Sequence, residues 1–97
     1  MNDNAMEMSE RAIREAAGDC FARCSTLSLA TVGEDGLPLA ANLYFAADAA
    51  LNLHFVSDPD SLHSRQLAAR PDVAATIYAP VDDWALLHGV QLHGRAA

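Results

Sequence analysis

The chain has 97 residues, with 13 acidic side chains, 6 basic ones and a formal net charge of −7. This length fits one small domain, and the negative charge excludes a general basic surface for nucleic acid or anionic lipid. No apolar run is long enough to span a bilayer, and the N-terminal residues lack the features of a secretory signal. We therefore expect a cytoplasmic protein whose residues 1–8 are a flexible N-terminus.

A helix is predicted from Ser9 onward, because apolar residues recur at helical spacing from Ile13 to Cys24. Cys20 and Cys24 lie on this apolar face. Their spacing could supply two metal ligands, but no second Cys/His pair at finger spacing completes a tetrahedral site. We interpret the two cysteines as a reduced, partly buried pair.

Three strands joined by tight turns are predicted next. The first covers residues 27–32, and residues 33–36 form a hairpin turn in which glycines tolerate positive φ. The second strand covers residues 37–46, with Pro38 near its start, where a missing N–H is least harmful. Residues 51–57 alternate apolar and polar side chains, which predicts the third strand.

The third strand runs into a hydroxyl-rich stretch. Asp58 followed by Pro59 predicts a helix start, so a short helix is expected over about residues 59–69. Free N–H groups and the positive end of the helix dipole at such a junction suit a phosphate or carboxylate. Candidate side-chain donors to this anion are Ser57, Ser61, His63, Ser64 and Arg65.

Two simpler interpretations of the same stretch stay open. The serines and His63 can belong to an ordinary capped turn with a solvated polar face. Arg65 can form a local ion pair with Asp58 or Asp60 instead of contacting an anion.

The last two predicted strands complete the order of elements. Residues 73–79 have the β-branched and aromatic content of a strand, and residues 86–96 alternate apolar and polar side chains. A helix, three strands, a short helix and two strands predict a small antiparallel barrel, since closure removes exposed sheet edges.

Several segments carry a family pattern by their order and spacing: Thr26–Val32, Asp35–Pro38, Tyr44–Phe45, Phe55–Ser57, Ser61–Pro71 and Gly89–Ala96. Together they resemble the pyridoxamine 5′-phosphate oxidase-like family of FMN-binding split β-barrels, with its small uncharacterised branch as the best likeness. The resemblance covers roughly residues 20–97. It implies a mainly β fold, an antiparallel, Greek-key-like split barrel with an N-terminal helix and a short helix between strands 3 and 4.

The same resemblance implies a homodimer with FMN at the subunit interface, and a flavin-dependent oxidoreductase with an unknown substrate. Val56 and Ser57 match strand-end positions that contact the flavin, and Ser61 matches a serine of the phosphate loop. His63 occupies the place of a phosphate-binding lysine in the oxidase. Neutral residues replace three further cationic positions of the oxidase: Ala41, Ala46 and Leu62.

Three more residues are candidates for contact with the flavin ring. Asn42 and Tyr44 share the strand face on which family members lay the ring, and Gln91 could hydrogen-bond a flavin edge. Tyr44 can equally be a core or interface aromatic, and Gln91 an outward strand residue in the dimer contact. No residue is identified as a catalytic acid or base.

A different class of function fits the same sequence. Because cationic positions are lost, the protein can be a non-catalytic dimeric barrel that has lost FMN or binds another ligand such as haem. We also expect the chain to be shorter at its C-terminus than the family, which would leave a sheet edge for another chain to cover.

Two features of the sequence are left without an assigned site. The histidines and acids at positions 54, 82, 83, 88 and 93 match no compact ligand motif, so no metal site is expected. Trp84 is a candidate interface anchor or lid.

Overall fold

The computed structural model describes residues 9–79, 81 and 89–97. The elements are α1 (Glu10–Ala22), β1 (Thr26–Val32), β2 (Pro38–Ala47), β3 (Leu53–Phe55), α2 (Leu62–Ala69), β4 (Asp72–Tyr78) and β5 (Gly89–Arg95). This is the predicted order. The expected flexible N-terminus lies outside the described residues, as do Asp82, Asp83, Trp84, His88 and the predicted start of the last strand. In the described part of the chain, no helix has the length and apolarity of a membrane span.

The five strands form one antiparallel sheet in the order β3-β2-β1-β4-β5. Hairpins connect β1 to β2 and β2 to β3, and the longer connection through α2 then brings β4 back beside β1. That arrangement is a Greek key, extended by β5 at its far edge. The sheet curls into half of a barrel, so the predicted mainly β, Greek-key-like split barrel is confirmed.

The helix α1 begins at the predicted residue and ends at Ala22, two residues before Cys24, where the predicted apolar pattern ends. Ser9 caps it, since the Ser9 hydroxyl accepts a hydrogen bond from the N–H of Ala12 at 3.1 Å. Only the C-terminal part of the predicted apolar face is buried, at Cys20 and Phe21. Ile13, one helical turn from the start, is 53% exposed.

The core lies between α1 and the concave side of the sheet. The rings of Phe21 and Phe45 meet edge to face with centroids 6.2 Å apart, which fixes the end of α1 on β2. Thr31 is the polar residue buried in this core among the described residues. The apolar core residues are Cys20, Phe21, Leu27, Leu29, Leu43, Ala75 and Ile77.

The first hairpin turn confirms the role assigned to its glycines for Gly36. Gly36 has a φ of +79°, which an L side chain rarely adopts. The N–H of Leu37 donates to Asp35 Oδ1 at 2.9 Å and closes the turn. The hairpin register follows from this turn, and it pairs Ser28 with Asn42.

Two predicted boundaries are wrong. The strand β3 covers Leu53–Phe55 instead of residues 51–57, because Leu51 sits in a turn with a φ of +67°. The helix α2 starts at Leu62, and its cap is Ser61 instead of Asp58. Asp58 is used locally: its Oδ1 accepts from the N–H of Asp60 and its carbonyl from the N–H of Ser61. Because the Asp58 side chain already accepts a hydrogen bond within this turn, it does not cap the helix.

Candidate functional site

Four polar side chains meet at the start of α2. His63 Nε2 lies 2.5 Å from Ser57 Oγ and 3.2 Å from Ser61 Oγ. Ser61 Oγ lies 2.8 Å from Ser64 Oγ and accepts from the N–H of Ser64, which is the helix cap. All four side chains are half-buried. We call Ser57, Ser61, His63 and Ser64 the hydroxyl cluster.

The hydroxyl cluster is arranged to donate. The Ser61 hydroxyl has one proton, which it can give to the carbonyl oxygen of Asp58 at 2.7 Å or to Ser64 Oγ at 2.8 Å. His63 Nε2 faces both Ser57 Oγ and Ser61 Oγ, and it donates or accepts according to the tautomer and protonation state of the ring. The cluster therefore offers hydroxyl and imidazole N–H groups to an anion, and it contains no permanently charged cationic side chain.

The expected cationic partner of this cluster lies elsewhere. Arg65 is exposed on α2, and in the described part of the chain it forms no salt bridge with Asp58 or Asp60. The local ion pair considered from sequence is therefore not formed there. Leu62, which replaces a family arginine, is half exposed at the first position of α2.

A second group of predicted residues lies on the convex face of the sheet. Asn42, Ser28, Thr76 and Gln91 are directly opposite one another across β2, β1, β4 and β5. The hydroxyl of Ser28 donates to Asn42 Oδ1 at 2.7 Å. The row is an uncharged polar strip, and among the described residues the Asn42 amide N–H groups have no hydrogen-bond acceptor.

Two exposed apolar side chains continue this face towards α2. Tyr44 is 78% exposed and Val56 is 94% exposed. The register pairs Phe45 with Phe55, so Tyr44 and Val56 are the next residues along and lie on the opposite, convex side. We call Tyr44, Val56 and the row from Asn42 to Gln91 the convex face.

The structure thus divides the predicted site into two adjoining parts. Ser57, Ser61 and His63 are brought together in the hydroxyl cluster, whereas Asn42, Tyr44, Val56 and Gln91 belong to the convex face. Val56 and Ser57 are consecutive in the chain, but Ser57 and Ser64 line a cavity on the concave side of the sheet. Arg65 joins neither by a described hydrogen bond.

Some residues of this region were missed by the sequence reasoning. Ser28 and Thr76 lie in the polar row, and the hairpin register set by residues 33–36 could have indicated Ser28. The hydroxyl of Thr31 is fully buried and donates to Gln66 Oε1 at 2.7 Å, which attaches α2 to the end of β1. No local pattern signals that contact, because the two residues are 35 positions apart.

A cavity of about 890 Å³ occupies the concave side of the half-barrel. Leucine side chains of β1 and β3 form much of its wall, and polar residues of the β3 to α2 connection and the end of β5 reach its rim. In the described residues β3 and β5 are each paired on one side only, so the cavity lies between two sheet edges.

Asp48 organises the turn between β2 and β3. Its carboxylate accepts from His54 Nε2 at 3.0 Å and from the backbone N–H groups of Ala50 and Asn52 at 2.9 Å each. These bonds, with that of His54 first, lower the pKa of Asp48 to about 2. Among the described residues, no group of three or more histidine, cysteine or acidic side chains could hold a metal ion.

The sequence matches the family model described as pyridoxamine 5′-phosphate oxidase over residues 13–97. No curated protein matches it.

Solved structures share the fold over most of this chain. A conserved hypothetical protein from Mycobacterium tuberculosis is 26% identical, with a TM-score of 0.73, covering 92% of this chain and 52% of that one. A haem-binding protein from Mycobacterium smegmatis is 22% identical, with a TM-score of 0.77, covering 91% and 37%. A pyridoxamine 5′-phosphate oxidase-related, FMN-binding protein from Nostoc punctiforme is 23% identical, with a TM-score of 0.65, covering 93% and 48%. The chain thus spans less than two thirds of the length of these structures.

Proposed function

The chain belongs to the pyridoxamine 5′-phosphate oxidase family, and on this basis we propose that it binds FMN as a homodimer and acts as a flavin-dependent oxidoreductase. The observation that carries the proposal is the hydroxyl cluster at the start of α2, which is next in the chain to the exposed Val56 of the convex face. One part offers anion donors and the other an exposed surface for an aromatic ring. The cytoplasmic location expected from the sequence stays a prediction.

The hydroxyl cluster fits a phosphate as a set of neutral donors. Ser57 and His63 can turn their O–H and N–H groups from each other to an anion, and Ser61 stands at the N-terminus of α2. The negatively charged carboxylates of Asp58 and Asp60, in the same loop, repel a dianionic phosphate. We therefore expect FMN to bind more weakly than in a site with several arginines or lysines.

The convex face fits the flavin ring. Tyr44 and Val56 expose apolar surface at the end nearest the hydroxyl cluster, so the ring can pack there while the phosphate is held beside α2. The amide groups of Asn42 and Gln91 can donate to the polar edge of the ring. A second copy of the chain would cover the side of the ring that this face leaves open. For this reason the proposed FMN-binding form is a homodimer.

The reaction itself belongs to the cofactor. When bound, FMN supplies hydride or electron transfer, while the protein holds the phosphate, orients the ring and keeps water from it. None of the described side chains is assigned as an acid or base, and the substrate is left open.

Titration with FMN tests this proposal. Purified protein should quench flavin fluorescence in a saturable manner. FMN should raise the melting temperature of the protein, and the protein should sediment as a dimer. Riboflavin is the matched ligand, because it has the ring without the phosphate. A colourless protein that FMN neither binds nor stabilises would contradict FMN binding, and a monomer saturated with FMN would contradict the interface site.

Haem is a second candidate ligand, favoured by one observation. His54 donates through Nε2 to the ionised Asp48, which leaves Nδ1 as a lone-pair donor held in a fixed orientation. A histidine supported by a carboxylate in this way is a common metal ligand. The similarity to a haem-binding protein shows the fold alone, so it supports the shape and not the ligand.

Haem titration separates the two candidates. If haem is the ligand, a Soret band should shift on binding and His54→Ala should abolish that shift, whereas FMN titration should be negative. A haem spectrum that is unchanged in His54→Ala would contradict the assignment of His54.

A further inference from the structure

The two free thiols at the end of α1 lie side by side. The sulfur atoms of Cys20 and Cys24 are 4.0 Å apart. Cys20 is buried, with its sulfur 3.9 Å from the carbonyl oxygen of Ile77, and Cys24 is half-buried. Because no third metal-ligating side chain joins them among the described residues, the pair does not form a complete protein metal site.

The backbone allows the two sulfurs to be joined. Positions four apart on a helix have Cα atoms about 6 Å apart, inside the range of about 4.4–6.8 Å found in disulfides. Cys24 lies two residues beyond Ala22, the last helical residue, and its N–H donates to the carbonyl of Phe21 instead of continuing the helical ladder. Rotation of the Cys24 side chain can therefore bring its sulfur to Cys20 without unwinding α1.

In a single copy of the chain, Cys24 is the more accessible of the two cysteines. It lines a recess of about 360 Å³ together with Ser28 and Thr76 of the convex face and Arg23 of the α1 cap. Burial and the neighbouring Cys20 raise the pKa of the Cys24 thiol, while Arg23 opposes that change. Reaction should therefore be slow near neutral pH and faster in mildly alkaline solution, where more thiolate is present.

We propose that Cys20 and Cys24 are a thiol–disulfide exchange site for a low-molecular-weight disulfide. The Cys24 thiolate attacks one sulfur of the disulfide, whose S–S bond breaks and releases one thiolate. The Cys20 thiolate then attacks the Cys24 sulfur, a Cys20–Cys24 bond forms, and the second thiolate leaves. The cysteines lose two electrons and two protons, and the small disulfide becomes two thiols.

Intact-mass analysis after incubation with oxidised glutathione tests the proposal, and no flavin is needed. The wild-type protein should lose the mass of two hydrogens, and peptide mapping should find Cys20 joined to Cys24. A thiol reductant should restore the original mass. No reaction, a stable glutathione adduct on the wild type or a disulfide between two chains would each overturn the proposal.

Two variants assign the roles of the sulfurs. In Cys20→Ala the second step is impossible, so one glutathione should remain attached to Cys24. In Cys24→Ala the more accessible thiol is gone, so Cys20 should stay unmodified. If Cys20 reacts in Cys24→Ala at the wild-type rate, the assignment of Cys24 as the attacking thiol is wrong. Should Cys20→Ala fail to fold, the wild-type peptide map still decides the proposal.

Discussion

The imidazole Nε2 of His63 lies 2.5 Å from the hydroxyl oxygen of Ser57, across the junction between β3 and α2. This contact joins the residue that follows the exposed Val56 to the first turn of α2. It lies at the group proposed for the flavin phosphate, next in the chain to the surface proposed for the ring. Both residues can exchange this mutual hydrogen bond for one to an anion.

Replacing His63 should separate phosphate recognition from ring recognition. His63→Ala removes an N–H donor, and a hydrogen bond to a charged group contributes about 1.5–3 kcal/mol, so FMN affinity should fall about tenfold to a hundredfold. Riboflavin affinity should change little, because it has no phosphate. Fluorescence titration of both ligands measures the ratio, and equal losses for the two would contradict a phosphate role.

Replacing Gln66 should destabilise the protein by leaving the Thr31 hydroxyl without a partner. Thr31 is 0% exposed, and a buried unsatisfied donor costs about 1–3 kcal/mol. Gln66→Leu should therefore lower the free energy of unfolding by about that amount in urea. Adding Thr31→Val to it should recover part of the loss. A double variant whose loss is the sum of the two single losses would contradict direct coupling.

Asp48 should make stability depend on pH in the acid range. Its pKa is lowered from 3.8 to about 2, with the His54 hydrogen bond as the largest cause. A carboxyl whose pKa is lower in the folded than in the unfolded state stabilises the folded protein at pH values above the unfolded-state pKa. This stabilisation is lost as the pH falls from 3.8 towards 2. Asp48→Ala should therefore lower the melting temperature at neutral pH, and its difference from wild type should shrink across that window.

The exposed turn residue Glu34 supplies the control for this measurement. Glu34→Ala should leave the melting temperature close to that of wild type at each pH, since Glu34 makes no described side-chain hydrogen bond. If the difference in melting temperature between Asp48→Ala and wild type stays constant down to pH 2, the hydrogen bonds of the Asp48 carboxylate are not the cause of the lower stability.

A charge on the convex face should weaken the proposed homodimer. Tyr44→Asp places a carboxylate on a face that a second copy would bury, and an unpaired buried charge is strongly unfavourable. Sedimentation should show more monomer than for wild type at the same concentration. Leu37→Asp is the matched control, because Leu37 is also exposed but lies in the β1–β2 turn. Equal sedimentation of Tyr44→Asp and wild type would place any dimer contact elsewhere.

Local sequence patterns were sufficient for most of the architecture. Apolar periodicity and Gly36 are local signals, so the element order and the first hairpin followed from them. The start of α2 did not, because Asp58 and Ser61 both have capping side chains. Which one caps depends on how Asp58 is already bonded in the turn.

The sequence indicated which types of residue belong to the candidate site, and the tertiary structure decided where those residues lie relative to one another. The sequence indicated Ser57, Ser61 and His63, because hydroxyls and an imidazole beside a helix start suit an anion. Sheet pairing alone decided that Asn42 and Gln91, on strands that do not touch, stand in one row across β1 and β4. Burial of Thr31 against Gln66 likewise depends on how α2 packs on β1, a contact that no local pattern encodes.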